Sequence, residues 1–343
     1  MNHIFDHFPR TRFAELPTPI TPLRHLEGAD RCNELLMKRD DLSGRVYGGN
    51  KIRKLEFLLG EALAAGRKSV ITYGAAGSNH ALATAVYCRE VGLRAISILA
   101  PQETSAHVRK NILLGRAVGA QLHLCGSFVD FPKVTQHRVE ECRNRDGVDP
   151  YIIPAGGSNA VGALGFVNAA FELKEQARPD IIYLPMGTGG TLAGLLVGLK
   201  LAGLKTRIEA VRVVDPSFRN KSHILKLCSE LCTKLDVAPK IDESEIHIRN
   251  EFLGSDYGIP TTEGKRAVEQ FKQFEHVELE NTYTGKTAAA LLHDLNSGAL
   301  EGKNVLYWNT LNSRNFSKEI EDMDFRNLPD EFHPLFHYPP DIS

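Results

Sequence analysis

The stretch Tyr47-Gly48-Gly49-Asn50-Lys51-Ile52-Arg53-Lys54-Leu55-Glu56 sets a lysine between a glycine turn and a patterned helix. Apolar residues at Ile52, Leu55, Leu58, Leu59, Ala62 and Leu63 line one face of a 3.6-residue period, which predicts a helix from Ile52 onward. Gly48, Gly49 and Asn50 stand where the chain must turn into that helix and where a cap is useful. Lys51 then sits at the positive helix end beside Arg53 and Lys54, an environment that favours loss of its proton. A deprotonated lysine forms a Schiff base with a carbonyl compound. Taken alone, the same residue reads as a solvated lysine on a basic helix start.

Three further segments carry compatible chemistry. Gly74-Ala75-Ala76-Gly77-Ser78-Asn79-His80 leads from a strand-like run into a helix-like one, with room for a ligand and amides that can hold a carboxylate. Ser78 and Asn79 add short hydrogen-bonding side chains, and either also suits an ordinary helix cap. Met186-Gly187-Thr188-Gly189-Gly190-Thr191 offers successive amides, two hydroxyls and a helix start, the parts of a phosphate cradle. It lacks the GxGxxG-plus-acid pattern of a dinucleotide site and the GK[ST] of a nucleotide P-loop, so a single phosphate fits better. Glu280-Asn281-Thr282-Tyr283-Thr284-Gly285-Lys286-Thr287 precedes another helix, and Tyr283 can stack on a planar ring or pass a proton. A Schiff-base lysine, a cradle for one phosphate and a place for a carboxylate are what pyridoxal 5′-phosphate (PLP) chemistry requires.

Regular elements must hold these loops. Ser69–Tyr73, Ala95–Leu99 and Gln121–Leu124 read as strands alternating with helices over Ala81–Val91 and Val108–Val118. Beyond a break at Asp146–Pro150 come a long helix from Ala163 to about Ala177 and strands at Ile181–Pro185, Ile208–Val214 and Asn304–Trp308. This alternation predicts parallel, helix-covered sheets of the α/β class, whose ligands sit at the carboxyl ends of the strands. A chain of 343 residues exceeds one ordinary core, so about two domains are expected. Ser217–Glu245 reads as one or two surface helices. The tail after Phe325, with Pro329, Pro334, Pro339 and Pro340, reads as lying along the surface or against a neighbour.

Composition narrows the partners. With 41 basic against 42 acidic side chains the formal net charge is −1, which gives no reason to expect nucleic acid or an anionic membrane. Hydrophobic content of 42% and charged content of 24% suit a soluble protein acting on a small molecule. The N-terminus shows no signal-peptide pattern and no apolar run is long enough to span a bilayer. Six cysteines are scattered without a CxxC pair, and Cys228 and Cys232 have no companion pair at zinc-site spacing. The expectation is a cytoplasmic protein with reduced thiols and no metal.

At this point the motifs become specific. Lys38-Arg39-Asp40-Asp41 followed by Gly48-Gly49-Asn50-Lys51-Ile52-Arg53-Lys54-Leu55-Glu56 resembles the D-cysteine desulfhydrase / 1-aminocyclopropane-1-carboxylate (ACC) deaminase family. Gly77-Ser78-Asn79-His80, the run from Gly156 to Gly165, and Tyr283-Thr284-Gly285-Lys286 resemble it too, in the same order, over residues 15 to 312. The resemblance implies the tryptophan-synthase-β-like PLP fold: two domains, each a helix-covered, mainly parallel open sheet, usually in a homodimer. The large, PLP-binding domain would take residues 1–54 and 161–343, and the small domain 55–160. Lys51 corresponds to the lysine of the internal aldimine, and Asn50 stands directly beside it. Asn79 corresponds to the partner of the cofactor's 3′ oxygen, and Gly187, Thr188, Gly189, Gly190 and Thr191 to the phosphate loop. Tyr283 corresponds to the aromatic beside the ring, and Thr310 to the hydroxyl that meets the pyridine nitrogen. Ser78 and Tyr257 correspond to substrate-side hydroxyls, with Asn79 and His80 next to them.

A neutral hydroxyl does not keep the pyridine nitrogen protonated as a carboxylate would, so elimination with the lysine as base is expected rather than transamination. The implied activity is elimination from D-cysteine to pyruvate, hydrogen sulfide and ammonia, with Lys51, Ser78 and Tyr283 as catalytic residues. The alternatives are ring-opening of ACC to 2-oxobutanoate and ammonia, or a PLP-binding homologue with a changed substrate or without lyase activity. The chain departs from the family pattern at Gly77, Ala81, Asn309, Leu311 and Asn312. Thr284, directly after Tyr283, matches desulfhydrases, whereas ACC deaminases tend to carry Glu there.

Overall fold

In the computed structural model, which describes residues 3–337, the chain forms two compact units, each built on one sheet. In chain order the elements are β1 (Ile20–Pro22), β2 (Glu34–Arg39), α1 (Lys51–Ala64), β3 (Ser69–Ala75), α2 (Asn79–Glu90), β4 (Arg94–Ala100), α3 (Ala106–Ala117), β5 (Gln121–Leu124), α4 (Phe131–Asp146) and β6 (Tyr151–Ile153). They continue with α5 (Ala160–Gln176), β7 (Ile181–Met186), α6 (Gly190–Ala202), β8 (Arg207–Arg212), α7 (Lys221–Leu235), β9 (His247–Arg249), α8 (Thr262–Phe274), α9 (Thr284–Asn296), β10 (Asn304–Asn309) and α10 (Ser317–Ile320). No helix among the described residues is long and apolar enough to cross a membrane.

The smaller unit holds the described residues up to Phe13, Leu55–Gly157, and the described residues from Asn315 onward. Its sheet runs β5-β4-β3-β6, parallel throughout. Ile71, Ile96 and Ile98 are fully or almost fully buried in a cluster with Cys125 and Cys142, as alternating apolar residues of covered strands should be.

The larger unit holds Ala14–Lys54 and Ser158–Arg314. Its sheet runs β1-β2-β10-β7-β8-β9, parallel except where β1 pairs antiparallel with β2 at the edge. Leu35, Met37, Ile181, Tyr183, Val305 and Tyr307, alternate residues of their strands, pack in one core with residues of α8 and α9. Helices α5 and α6 approach closely because glycines line the contact. A Cβ built at Gly194 would lie 2.5 Å from the Ala163 carbonyl oxygen.

The expected boundaries change at the chain ends. The expected large domain over 1–54 loses its first residues to the smaller unit, where Thr11 N donates to Glu56 O at 2.9 Å and the Phe5 ring lies 6.1 Å from that of Phe57. The tail joins that unit as well. Phe332 is fully buried, and Leu335 O accepts from Thr104 Oγ1 at 2.8 Å and Arg109 Nε at 2.9 Å. It is therefore packed rather than merely laid on the surface; Pro339 and Pro340 lie outside the described residues. The internal boundary falls after Gly157 rather than at residue 160. Within Ser217–Glu245 there is one α-helix, α7, and it buries Ile224, Leu227, Cys228, Leu231 and Leu235.

Beneath the first turn of α1 lies a buried ion network in the larger unit. Gly165 on α5 allows the approach, since a Cβ there would lie 2.1 Å from Arg53 O. Glu172, two turns further along α5 and on the same side, then reaches Arg53 Nη1 and Nη2, each at 2.9 Å, and Lys38 Nζ at 2.5 Å. Asp40 completes the Arg53 site. Burial pushes the Glu172 carboxyl up, but Arg53 and Lys38 outweigh it and hold its pKa down to about 2. A depressed carboxylate stabilises the fold above its unfolded pKa and loses that contribution as the pH falls through the folded one. Glu172→Gln should cost about 3 kcal/mol at neutral pH, because it leaves buried cations undercompensated. In denaturant titrations the gap between wild type and variant should close as the pH falls from the ordinary carboxylate value of 4.5 towards 2.

Candidate active site

The glycine turn before α1 is held amide by amide within the larger unit. Gly48 N donates to Asn312 Oδ1 at 2.7 Å, Gly49 N to Asp40 O at 2.8 Å and Asn50 N to Thr310 O at 3.2 Å. Gly49 has φ 88°, and a Cβ there would lie 2.8 Å from Thr310 O, so only glycine fits. Asn312, a departure from the family pattern, thus holds this turn. Lys51 opens the helix, half-buried, and desolvation lowers its pKa to about 8.

The loop Gly187–Thr191 enters α6 with Gly189 in the left-handed region at the N-cap. A Cβ at Gly190 would lie 2.5 Å from Ser158 Oγ and 2.9 Å from Lys54 Nζ, so the loop packs directly against a hydroxyl and an amine and only glycine fits there. Ser158 Oγ accepts from Gly190 N at 3.1 Å and from Lys54 Nζ at 3.4 Å, and lies 2.6 Å from Thr188 Oγ1. Burial, and then the neighbouring Lys51 charge, push the Lys54 amine well below the ordinary lysine range. A bound anion would restore what those two effects remove. At the end of the loop Asn50 Nδ2 donates to Thr191 Oγ1 at 3.2 Å, and at its start a Cβ at Gly187 would lie 3.6 Å from Tyr283 Cε1.

Tyr283 stands at the N-terminus of α9, where the Glu280 carboxylate accepts the amides of Thr282, Tyr283 and Thr284, each at 2.8 Å. The Tyr257 hydroxyl is 2.8 Å from that of Tyr283. Burial raises the pKa of Tyr257 to about 12, and burial together with Tyr257 raises that of Tyr283 further, so both keep their protons at neutral pH. Lys286 Nζ holds the Tyr257 loop through Leu253 O at 2.6 Å and Asp256 O at 3.2 Å. Thr284 is fully buried and its hydroxyl accepts from Glu280 N at 2.9 Å, serving the turn.

Ser78, Asn79 and His80 belong to the smaller unit. Ser78 is the N-cap of α2, its Oγ accepting from Ala81 N at 3.2 Å. Asn111 on α3 donates to Asn79 Oδ1 and to Gly77 O, each at 2.9 Å. His80 is buried in the first turn of α2. Gly77 has no room for a side chain: a Cβ would lie 2.8 Å from Val108 Cγ2, and its amide donates to Gln102 Oε1 at 3.0 Å.

The larger unit therefore brings together Asn50, Lys51, Gly187, Thr188, Gly189, Gly190, Thr191, Tyr257, Tyr283 and Thr310, while the Ser78–His80 loop is built in the other unit. The motifs contain Lys54 and Ser158 without marking them for the loop at Gly190, and contain Glu280 and Lys286 without marking them as positioning groups. The signal for Lys54 was its place one helical turn after Lys51; nothing local marks Asn111.

Residues 11–310 match the model of the family described as pyridoxal-phosphate dependent enzymes. A crystal structure of an ACC deaminase homologue is 31% identical with a TM-score of 0.81, covering 91% of this chain and 96% of the other. The processed form of threonine deaminase isoform 2 from Solanum lycopersicum (17% identical, TM-score 0.58, 93% and 88% covered) shares the fold. So does O-ureido-L-serine synthase (18% identical, TM-score 0.60, 97% and 99% covered). The residues fit such a cofactor. Loop amides, the Ser158 and Thr188 hydroxyls and the Lys54 amine lie together where they would hold a phosphate, and desolvation lowers the pKa of the Lys51 amine that would attach the cofactor.

Gly190→Ala should push against Ser158 and Lys54 and weaken PLP binding about tenfold or more, measured by equilibrium dialysis on protein whose circular dichroism is unchanged. In protein freed of cofactor, Lys51 should react with an amine reagent along a curve that rises with pH and has its midpoint near 8, followed by peptide mass spectrometry.

Proposed function

The chain belongs to the pyridoxal-phosphate dependent enzyme family, and we propose that within it the protein is a lyase that converts D-cysteine and water to pyruvate, hydrogen sulfide and ammonia. PLP, when bound, supplies the electron sink that disperses the charge left after an α-proton is removed. Lys51 is the attachment residue and, once released, the base that takes that proton, a task suited to a pKa of about 8. Lys54, Ser158, Thr188, Thr191 and the amides of Gly187, Gly189 and Gly190 hold the phosphate. Tyr283 would flank the cofactor ring, as the family resemblance implies, and, hydrogen-bonded to Tyr257, would keep a proton at its hydroxyl for the departing sulfur. Ser78, Asn79 and His80 take the substrate-side parts that the family resemblance assigns to them, Asn79 also the 3′ oxygen. A cytoplasmic homodimer belongs to the same proposal.

The observation that carries elimination is the Asn50 N–H bond to Thr310 O at 3.2 Å. It sets the neutral Thr310, to which the family resemblance gives the ring nitrogen, beside the Lys51 turn. A ring nitrogen met by a hydroxyl is left unprotonated, which limits electron withdrawal and suits β-elimination over transamination. Thr284 supports D-cysteine as substrate. The 31% identity to an ACC deaminase homologue favours ACC as the second reading.

PLP-saturated protein offered D-cysteine, L-cysteine, D-serine and ACC separately should release pyruvate from D-cysteine alone, and Lys51→Ala should lower turnover about a thousandfold or more. Formation of 2-oxobutanoate from ACC without pyruvate from D-cysteine would move the assignment to the second reading. No product from any of them would leave a PLP-binding homologue without lyase activity.

A further inference from the structure

The buried side chain of Asp40 connects the structures on both sides of the Lys51 turn. Asp40 follows β2 and is fully buried. Its Oδ1 accepts from Arg53 Nη2 at 2.7 Å and Thr18 Oγ1 at 2.9 Å. Its Oδ2 accepts from Arg53 Nε at 2.9 Å and from the indole Nε1 of Trp308 at 2.8 Å. Its backbone carbonyl accepts from Gly49 N at 2.8 Å. One residue is thus bonded to the turn before Lys51, to the helix turn after it, and to β10 directly ahead of Asn309 and Thr310.

We propose that Asp40 is a positioning residue that fixes the Lys51 amine relative to Thr310, and with it the distance between the cofactor's attachment point and the partner of its ring nitrogen. The proposal rests on the reading of Lys51 and Thr310 given above. A carboxylate is required because donors approach both oxygens. A carboxamide would turn an N–H towards either the Thr18–Arg53 pair or the Arg53–Trp308 pair, so one connection breaks whichever way it faces. Where the N–H faces Arg53 Nε and Trp308, α1 and β10 retain their local hydrogen bonds but lose the bond between them; where it faces Thr18, the carboxamide stays on Trp308 and loses the Oδ1 bond from Arg53 Nη2. Glu172 differs, because it supports Arg53 without touching β10.

The test uses PLP-loaded wild type, Asp40→Asn, Trp308→Phe and Glu172→Gln. Trp308 is the one tryptophan of the chain, so its emission reports on the Asp40 bond directly. Asp40→Asn should shift that emission. Asp40→Asn and Trp308→Phe should weaken PLP binding about tenfold or more, and should move the pH midpoint of the visible band of the Lys51-bound cofactor, with kcat reduced more than KM is raised. Glu172→Gln should lower the melting temperature and leave affinity and midpoint as in wild type. Wild-type affinity and midpoint in Trp308→Phe would overturn the proposal, even if Asp40→Asn fails to fold. An equal disturbance by Glu172→Gln would overturn it too, since general loosening would then account for the effect. Absence of the visible band in wild type, or its persistence in Lys51→Ala, would instead overturn the assignment of Lys51.

Discussion

Burying cations in the first turn of a helix is the constraint on which the rest of this structure depends. Lys51, Arg53 and Lys54 all stand at the N-terminal end of α1, where the helix dipole already disfavours positive charge. Arg53 and Lys54 are each only 1% exposed. Arg53 stays charged because Asp40 and Glu172 outweigh the loss of water. The lysines on either side of it have depressed pKa values instead. One arrangement thus provides a reactive amine at Lys51 and, at Lys54, a position where a bound anion is favoured. The intact ion network adds little net stability, since a buried pair recovers little beyond its own desolvation cost, but removing one partner leaves a buried charge uncompensated.

The remaining geometry follows from what can approach that turn. Glycines at 49, 165 and 190 stand where a side chain would collide with Thr310, Arg53, or Ser158 and Lys54. These are close backbone approaches around the lysine turn and the Gly187–Thr191 loop. The two tyrosines meet from a helix start braced by Glu280 and from a loop braced by Lys286. Lys286 is buried and Glu280 half-buried, both with satisfied bonds, which rigidify a site at little net cost in stability.

Departures from the family pattern have local accounts. Asn312 accepts from Gly48 N and from Arg314 N, so it shapes the lysine turn. Gly77 leaves no space for a longer residue, and Gln102 brings an amide oxygen to its backbone N–H from elsewhere in the same unit. Asn309 Oδ1 accepts from Leu311 N, tightening the chain as it leaves β10. These positions serve the backbone around the site, which is consistent with retained cofactor chemistry on a pocket of altered detail.

The sequence by itself determined the α/β class, the longer elements and the reactive loops. Ile181–Met186 or Ala160–Gln176 form on periodicity and burial that each segment carries within itself. The lysine turn, the Gly187–Thr191 loop and the tyrosine loop were visible because glycine, hydroxyl and helix-start signals are local too. Only the tertiary structure decided the short strands β1, β6 and β9, which are too brief to show a period and exist through a neighbour's hydrogen bonds. It also decided that both chain ends pack on the smaller unit, and that Lys54 meets Ser158, Asn111 meets Asn79 and Asp40 meets Trp308. Asp40 and Trp308 lie 268 residues apart, and no local preference encodes the meeting of their side chains. A hydrogen bond between distant residues has no signature in either segment, because its energy arises only when the intervening chain has already brought donor and acceptor together.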